Sequence, residues 1–316
     1  MSFIDTSTKN ASVNLSIKGN PKYIMALTLV ATLGGLLFGY DTAVVNGAEK
    51  SLVEFFISRI TDPGHYDYAL SVITQFRIFV AIVFYIVAIV LLGQIFKLIG
   101  TKKGLIISSI TLLVLSFFIF NYLKGSIPLI NETDKLKDFV DSIKGLVISS
   151  ALIGCIIGGA SAGFISKSLG RKKGLIISAI AFTISAVGAW KPEAFNFFGV
   201  QDVYSFAIYR IIGGFGVGIA SMISPMYIAE IAPAGIRGKL VSWNQFAIIF
   251  GMLVIYFVNY FIAKSGNEQW LVTEGWRWMF FSGAIPSVIF LILLFFVPET
   301  PRFLVQNSKE IGRAHV

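Results

Sequence analysis

At 316 residues, 55% of them hydrophobic and only 14% charged, with a mean hydropathy of +0.78, this chain lies far from the soluble average of about one quarter charged residues and reads as an integral membrane protein. The formal charge of +9 has the sign of a nucleic-acid footprint, but it divides by loop instead of gathering on one face, so a nucleic-acid partner is set aside. The single cysteine, Cys155, leaves no internal disulfide to form.

Spanning helices need about 20 mostly apolar residues. Eight segments qualify: Tyr23 to Asn46, Phe76 to Phe96, Gly104 to Tyr122, Lys144 to Ile165, Gly174 to Trp190, Tyr204 to Ala229, Leu240 to Ala263 and Trp276 to Val297. The predicted fold is therefore all-α and polytopic. Residues 1–22 are a polar tail without a signal-peptide cleavage pattern, and residues 23–48 are core helix 1. Its one acid, Asp41, stands in a glycine-rich apolar run, where an ionised carboxylate is costly unless paired or hydrated. Residues 49–143 read as outside loops (Gly47 to Gln75, Leu123 to Ile143) around a membrane hairpin at about 76–122.

That hairpin carries a repeat. GTKKGLIISSI at Gly100 to Ile110 matches GRKKGLIISAI at Gly170 to Ile180 at nine of eleven positions. Ile86, Gly93, Ile95 and Lys97 match Ile156, Gly163, Ile165 and Lys167 at the same offset. Shared membrane composition explains matched Leu and Ile but not glycines and lysines in register, so the hairpin reads as a tandem copy of the next two helices. Arg77, at its margin, is expected to snorkel to the outer surface.

Residues 144–298 supply core helices 2–6. The run from Tyr209 to Gly251 is the most informative: two glycine-rich apolar stretches flank a polar turn with Glu230, Arg237 and Lys239. GGFGVG at Gly213 to Gly218 resembles a phosphate loop only superficially, because inside a span such glycines let helices approach closely. Residues 299–310 begin a cytoplasmic linker. With the N-terminus inside, the inner loops carry +11, the outer loops −3 and the spans +1. This is the asymmetry of a positive-inside topology, and it predicts a multi-pass protein of the cell (inner) membrane with a cytoplasmic N-terminus. No loop holds a nucleophile with a base or a metal-ligand cluster, so no enzyme activity, cofactor or metal is expected.

TLVATLGGLLFGYDTAV at Thr28 to Val44, SALIGCIIGG at Ser150 to Gly159, YRIIGG at Tyr209 to Gly214, SPMYIAEIAPAGIRGKLVSWNQFAIIFG at Ser224 to Gly251 and VPETPRFL at Val297 to Leu304 resemble the sugar porter family of the major facilitator superfamily, most closely its bacterial D-xylose:proton symporters. The resemblance implies the N-terminal six-helix bundle of that fold, here with an inserted hairpin. It implies monosaccharide and proton as partners, Asp41 and Arg210 as the proton-coupling pair, and Phe38 and Gln245 at the sugar. At Met252 the relatives place a second glutamine, so the sugar preference differs or weakens. The resemblance further implies a cytoplasmic gate network of Arg171, Glu230, Arg237, Glu299 and Arg302. At Lys167 the family has an acid or asparagine, so the helix-end interaction there is weakened. For each group a structural alternative stands: a static ion pair for Asp41 and Arg210, an interhelical hydrogen bond for Gln245, and topogenic surface charge for the gate.

Members of the family continue into a second six-helix half. Residues 311–316, IGRAHV, do not resemble the linker and match a translated sequencing-adapter read, so they are expected to be an artefact and the chain to be a truncated first half. Expected function is proton-coupled import of D-xylose or a related sugar by alternating access. The alternatives are a facilitative hexose uniporter and a non-transporting sugar sensor.

Overall fold

A computed structural model describes residues 21–99, 111, 114–121, 124, 133–196 and 199–306; all regular structure among them is helical. The tail at 1–20, the repeat at 100–110 and the terminal residues 311–316 lie outside the described residues. Helix α1 (Pro21–Thr61) is followed by a short turn (Pro63–His65) and α2 (Tyr66–Ile99). Then come α3 (Thr133–Leu169), α4 (Arg171–Trp190), α5 (Asp202–Ile231) and α6 (Arg237–Lys264). Helix α7 (Glu268–Phe296) contains one wider π turn at Leu271–Gly275, and α8 (Pro301–Gln306) closes the order. Among the described residues, six helices, α1 and α3 to α7, are long and apolar enough to cross a membrane.

Two expected loops are helical instead. At 41 residues α1 is about 60 Å long, twice the hydrocarbon thickness of about 30 Å, and it runs through the expected loop at 47–61. Leu52, Phe55, Phe56 and Ile60 fall on one face at helical spacing, and all are buried. They pack with Phe206, Trp276 and Phe280, with ring centroids 5.1 to 5.8 Å apart between Phe55 and Phe56, Phe56 and Phe206, Phe56 and Trp276, and Phe206 and Phe280. Glu49, Lys50, Glu54 and Arg59 hid that stripe from a reading by mean polarity. Helix α3 likewise starts eleven residues before Lys144, at Thr133, and buries Ile143 and Val147 in the same cluster.

The remainder of the expected first loop is clamped to α5. Arg59 pairs with Asp202 at 3.1 Å, and the Tyr68 hydroxyl donates to the other Asp202 oxygen at 2.6 Å. Tyr204 donates to the Val72 carbonyl at 2.6 Å, and the Gln201 N–H donates to the Gln75 side chain at 2.8 Å. Burial and the Asp202 charge both hold the Tyr68 phenol above its ordinary range. Arg77 is not at the surface as expected: only 7% of it is exposed, and its guanidinium lies 5.5 Å from the Phe139 ring centroid. Its attachment to an aromatic face of α3 replaces the route to water.

Close backbone approach builds the rest. A Cβ at Gly214 or Gly218 of α5 would collide with main-chain atoms of Ala151 or Cys155 on α3, so the GGFGVG run is a contact surface inside a span, as its sequence suggested. The buried apolar residues form two clusters, one from Leu27 to Leu37 of α1 with Phe290 and Leu294 of α7, the other from Tyr40 onward with Trp276 and Phe280. Asp41 stands where α1 passes from one to the other.

Candidate coupling and gating sites

Asp41 lies midway along α1, and Arg210 reaches it from α5. Arg210 Nη1 donates to Asp41 Oδ1 at 2.5 Å, and Nη2 donates to the Asp41 main-chain oxygen at 3.3 Å. The arginine side chain is 2% exposed and the carboxylate 18%. The Phe280 ring centroid is 5.2 Å from the guanidinium carbon, within range of a cation–π contact. A guanidinium and a carboxylate in this setting hold each other in place, because removing either strands a buried charge at a cost of about 3–5 kcal/mol. Protonation of the carboxylate removes the attraction without removing a side chain.

The residues expected at the sugar lie on α1 and α6. Phe38 is half-buried, one turn before Asp41, while Gln245 is exposed and Met252 half-buried. The α6 backbone at Met252 runs against α1 at Gly39. None of the three lines the small cavity beside Asp41, which is formed by α1, α4, α5 and α7. Asp41 and Arg210 line this cavity, and the three expected sugar residues lie outside its lining. Gln245 makes no interhelical hydrogen bond among the described residues, which leaves its amide available on the exposed face.

Of the five expected gate residues, three come together. Arg171 Nη2 meets Glu230 Oε1 at 2.8 Å, and Arg171 Nη1 donates to the Ser166 carbonyl at 3.1 Å. Glu299 accepts from the main-chain N–H of Arg171 at 3.0 Å and of Lys172 at 3.1 Å. It therefore caps the N-terminus of α4, where a carboxylate meets unpaired N–H groups and the positive end of the helix dipole. Gly170 enters that turn at φ 96°, a left-handed conformation that favours glycine, and a Cβ there would also strike Glu299 and Phe303. Arg237 only donates to the Ala232 carbonyl at 3.4 Å, and Arg302 is exposed with no partner among the described residues. At Lys167, α3 itself supplies no acid to this helix end, and the carboxylate arrives instead from Glu299.

Sequence reasoning missed the Arg277 and Glu193 pair, which meet at 2.8 Å while Arg277 also donates to the Trp190 carbonyl at 3.1 Å. A span predicted to open at Trp276 made Arg277 look like an end charge, whereas it is 4% exposed. It also missed Phe280 beneath Arg210, which carries no polar signal.

The model of the family described as sugar (and other) transporter matches residues 27–126 and 122–315. The D-xylose-proton symporter of Escherichia coli K12 is 42% identical over 301 residues, covering 92% of this chain and 46% of that protein. The arabinose-proton symporter of Bacillus subtilis 168 is 42% identical over 187 residues, covering 59% of this chain and 38% of that protein. A solved structure of the xylose transporter XylE from E. coli, partially occluded and inward open, superposes with a TM-score of 0.65 at 41% identity, covering 92% of this chain and 54% of the other. The chain spans about half the length of the curated relatives it matches.

Proposed function

This chain belongs to the sugar (and other) transporter family, and from that premise we propose that it forms the first half of a proton-coupled monosaccharide symporter, with D-xylose or a related pentose or hexose as substrate. The observation that carries this reading is the buried pair of Asp41 and Arg210. A sugar has no charge to balance, so a uniporter could use this acid only as a static lock between helices, whereas a symporter needs a group whose protonation changes which helices attract each other, and intramembrane acids are functional by default. The similarity to two sugar–proton symporters supports the same choice.

In this mechanism the ion pair ties α1 to α5 while Asp41 is charged. A proton from outside neutralises the carboxylate, Arg210 relaxes toward Phe280 and the nearby main-chain oxygen, and α1 is released to adjust around sugar. Gln245 presents an amide to sugar hydroxyls, Phe38 an aromatic wall, and Met252 an apolar surface that cannot hydrogen-bond as an amide would. The two halves then rock about the midplane site. Arg171, Glu230 and Glu299 hold the inner ends of α4, α5 and the segment before α8 as one block, and Arg237 and Arg302 face the second half. Exposed apolar residues on α6 (Phe246, Ile249, Phe250, Leu253) and α3 (Leu152, Ile156) supply surfaces for that half and for lipid.

The N-terminus is cytoplasmic and the membrane is the inner one, in keeping with the +11 and −3 charge division. The segment at about 76–122 is read as an insert on its sequence repeat with 156–180, and the two matches to the family model, 27–126 and 122–315, overlap just after it. The test of function is labelled xylose uptake by the complete gene product in proteoliposomes. Acid outside should stimulate accumulation, and Asp41→Asn should abolish the stimulation; downhill equilibration indifferent to pH would instead make it a uniporter.

A further inference from the structure

The cavity beside Asp41 measures about 20 Å³ and is lined by Leu37, Tyr40, Asp41 and Val44 of α1, Phe182, Ser185 and Ala186 of α4, Arg210 of α5, and Phe280 and Gly283 of α7. A site needs about 10–15 Å³ to hold one water, together with two or more polar partners. Ser185 is 3% exposed and faces this cavity, and its hydroxyl has no protein hydrogen-bond partner among the described residues. That hydroxyl and Asp41 both line the cavity, and both lie near Gly213, where an added Cβ would collide with Ser185 Oγ and lie 3.8 Å from Asp41 Oδ1. Arg210 Nε, also buried, has no partner either.

On the premise that Asp41 is the coupling acid, we infer that this cavity binds a single water held between the Ser185 hydroxyl and the Asp41 carboxylate, and that this water delivers the proton. Ser185 is then a positioning residue for coupling, not a sugar ligand. In the transfer step the water gives one proton to a carboxylate oxygen of Asp41 and takes one from the outside solvent, so it ends neutral and the carboxyl gains the proton. The groups facing Asp41 leave this water as the natural carrier. Arg210 on α5 stays charged, and Tyr40, next to Asp41 on α1, bonds Ser282 at 2.8 Å. Cys155 on α3 is close enough to feel the Asp41 charge, but a thiol is a weak hydrogen-bond group, and Ser185 of α4 and Phe280 of α7 do not titrate. Gly213 borders the arrangement, since a Cβ there would strike the Ser185 hydroxyl.

The experiment measures proton-driven xylose uptake against external pH for the complete gene product carrying Ser185→Ala and, separately, Ser185→Thr. Removing a positioned proton carrier should slow the maximal rate about tenfold and displace its pH profile, with the sugar KM changed less than about twofold, and Ser185→Thr should recover most of the rate because it keeps the hydroxyl. A Ser185→Ala rate and pH profile within about twofold of the parent would overturn the inference, as would a loss that Ser185→Thr fails to recover, the signature of packing alone. Asp41→Asn in the same assay separates the two levels of the argument: proton dependence surviving it defeats the coupling premise itself, whatever Ser185 does.

Discussion

Two buried arginine–carboxylate sites sit in this bundle, and they are built differently. Where α4 begins and α5 ends, Arg171 and Glu230 are 8% and 6% exposed, and a second carboxylate, Glu299, is fixed by the main-chain N–H groups that open α4. At mid-helix, Arg210 has one acid, Asp41, three times as exposed as Glu230 and next to a water-sized cavity. The first arrangement spreads its charge over fixed hydrogen bonds, which suits a joint that holds or separates mechanically. The second keeps a single carboxylate within reach of a proton. Burial of an ion pair thus says little about its role, whereas access to the carboxylate says much.

The largest effect that would sharpen this contrast is on coupling. Asp41→Asn should lower proton-driven sugar accumulation about 100-fold or more, while Glu230→Gln should slow transport without erasing its pH dependence; uptake across a pH series checks both. Next comes stability. Arg210→Ala strands Asp41 and should cost about 3–5 kcal/mol, read as a lower unfolding midpoint in detergent, with Asp41→Asn in the same chain recovering part of the loss. Gly170→Ala should cost about 1–3 kcal/mol through its left-handed backbone, and Glu299→Gln about 1 kcal/mol through a weaker cap on α4. The smallest effect lies outside the spans, at Asp62. The Gly64 N–H and then His65 hold its carboxyl below the ordinary range. The turn at Pro63–His65 therefore gains its support above the ordinary carboxylate range and loses it as pH falls through the lowered value, which the His65 ring resonances in an acid titration would follow.

Much of this was legible in sequence because membrane helices announce themselves by apolar length and because a lone acid in such a run demands a partner. Asp41 stood out by the cost of its charge, whereas Arg210, 169 residues away, was picked out by the family resemblance. Other features had no local signal. Ser185 is an unremarked serine in an apolar helix until the cavity places it beside Asp41. Glu299 caps a helix that begins 128 residues earlier, a pairing that only the tertiary fold creates. The C-terminal end of α1 was misread for the opposite reason: its charged residues dominated the average polarity while its apolar stripe lay at helical period. Arg77 and Arg277 were misread as end charges because sequence shows where a span stops being apolar, not where an aromatic face or a distant carboxylate waits.

The central claim is that Asp41 takes up the transported proton. It is tested most directly by loading proteoliposomes of the complete gene product with a pH-sensitive dye and adding xylose outside. The account predicts sugar-dependent acidification of the interior in the parent and none with Asp41→Asn; acidification unchanged in the variant, or sugar entry without proton movement in the parent, would contradict it.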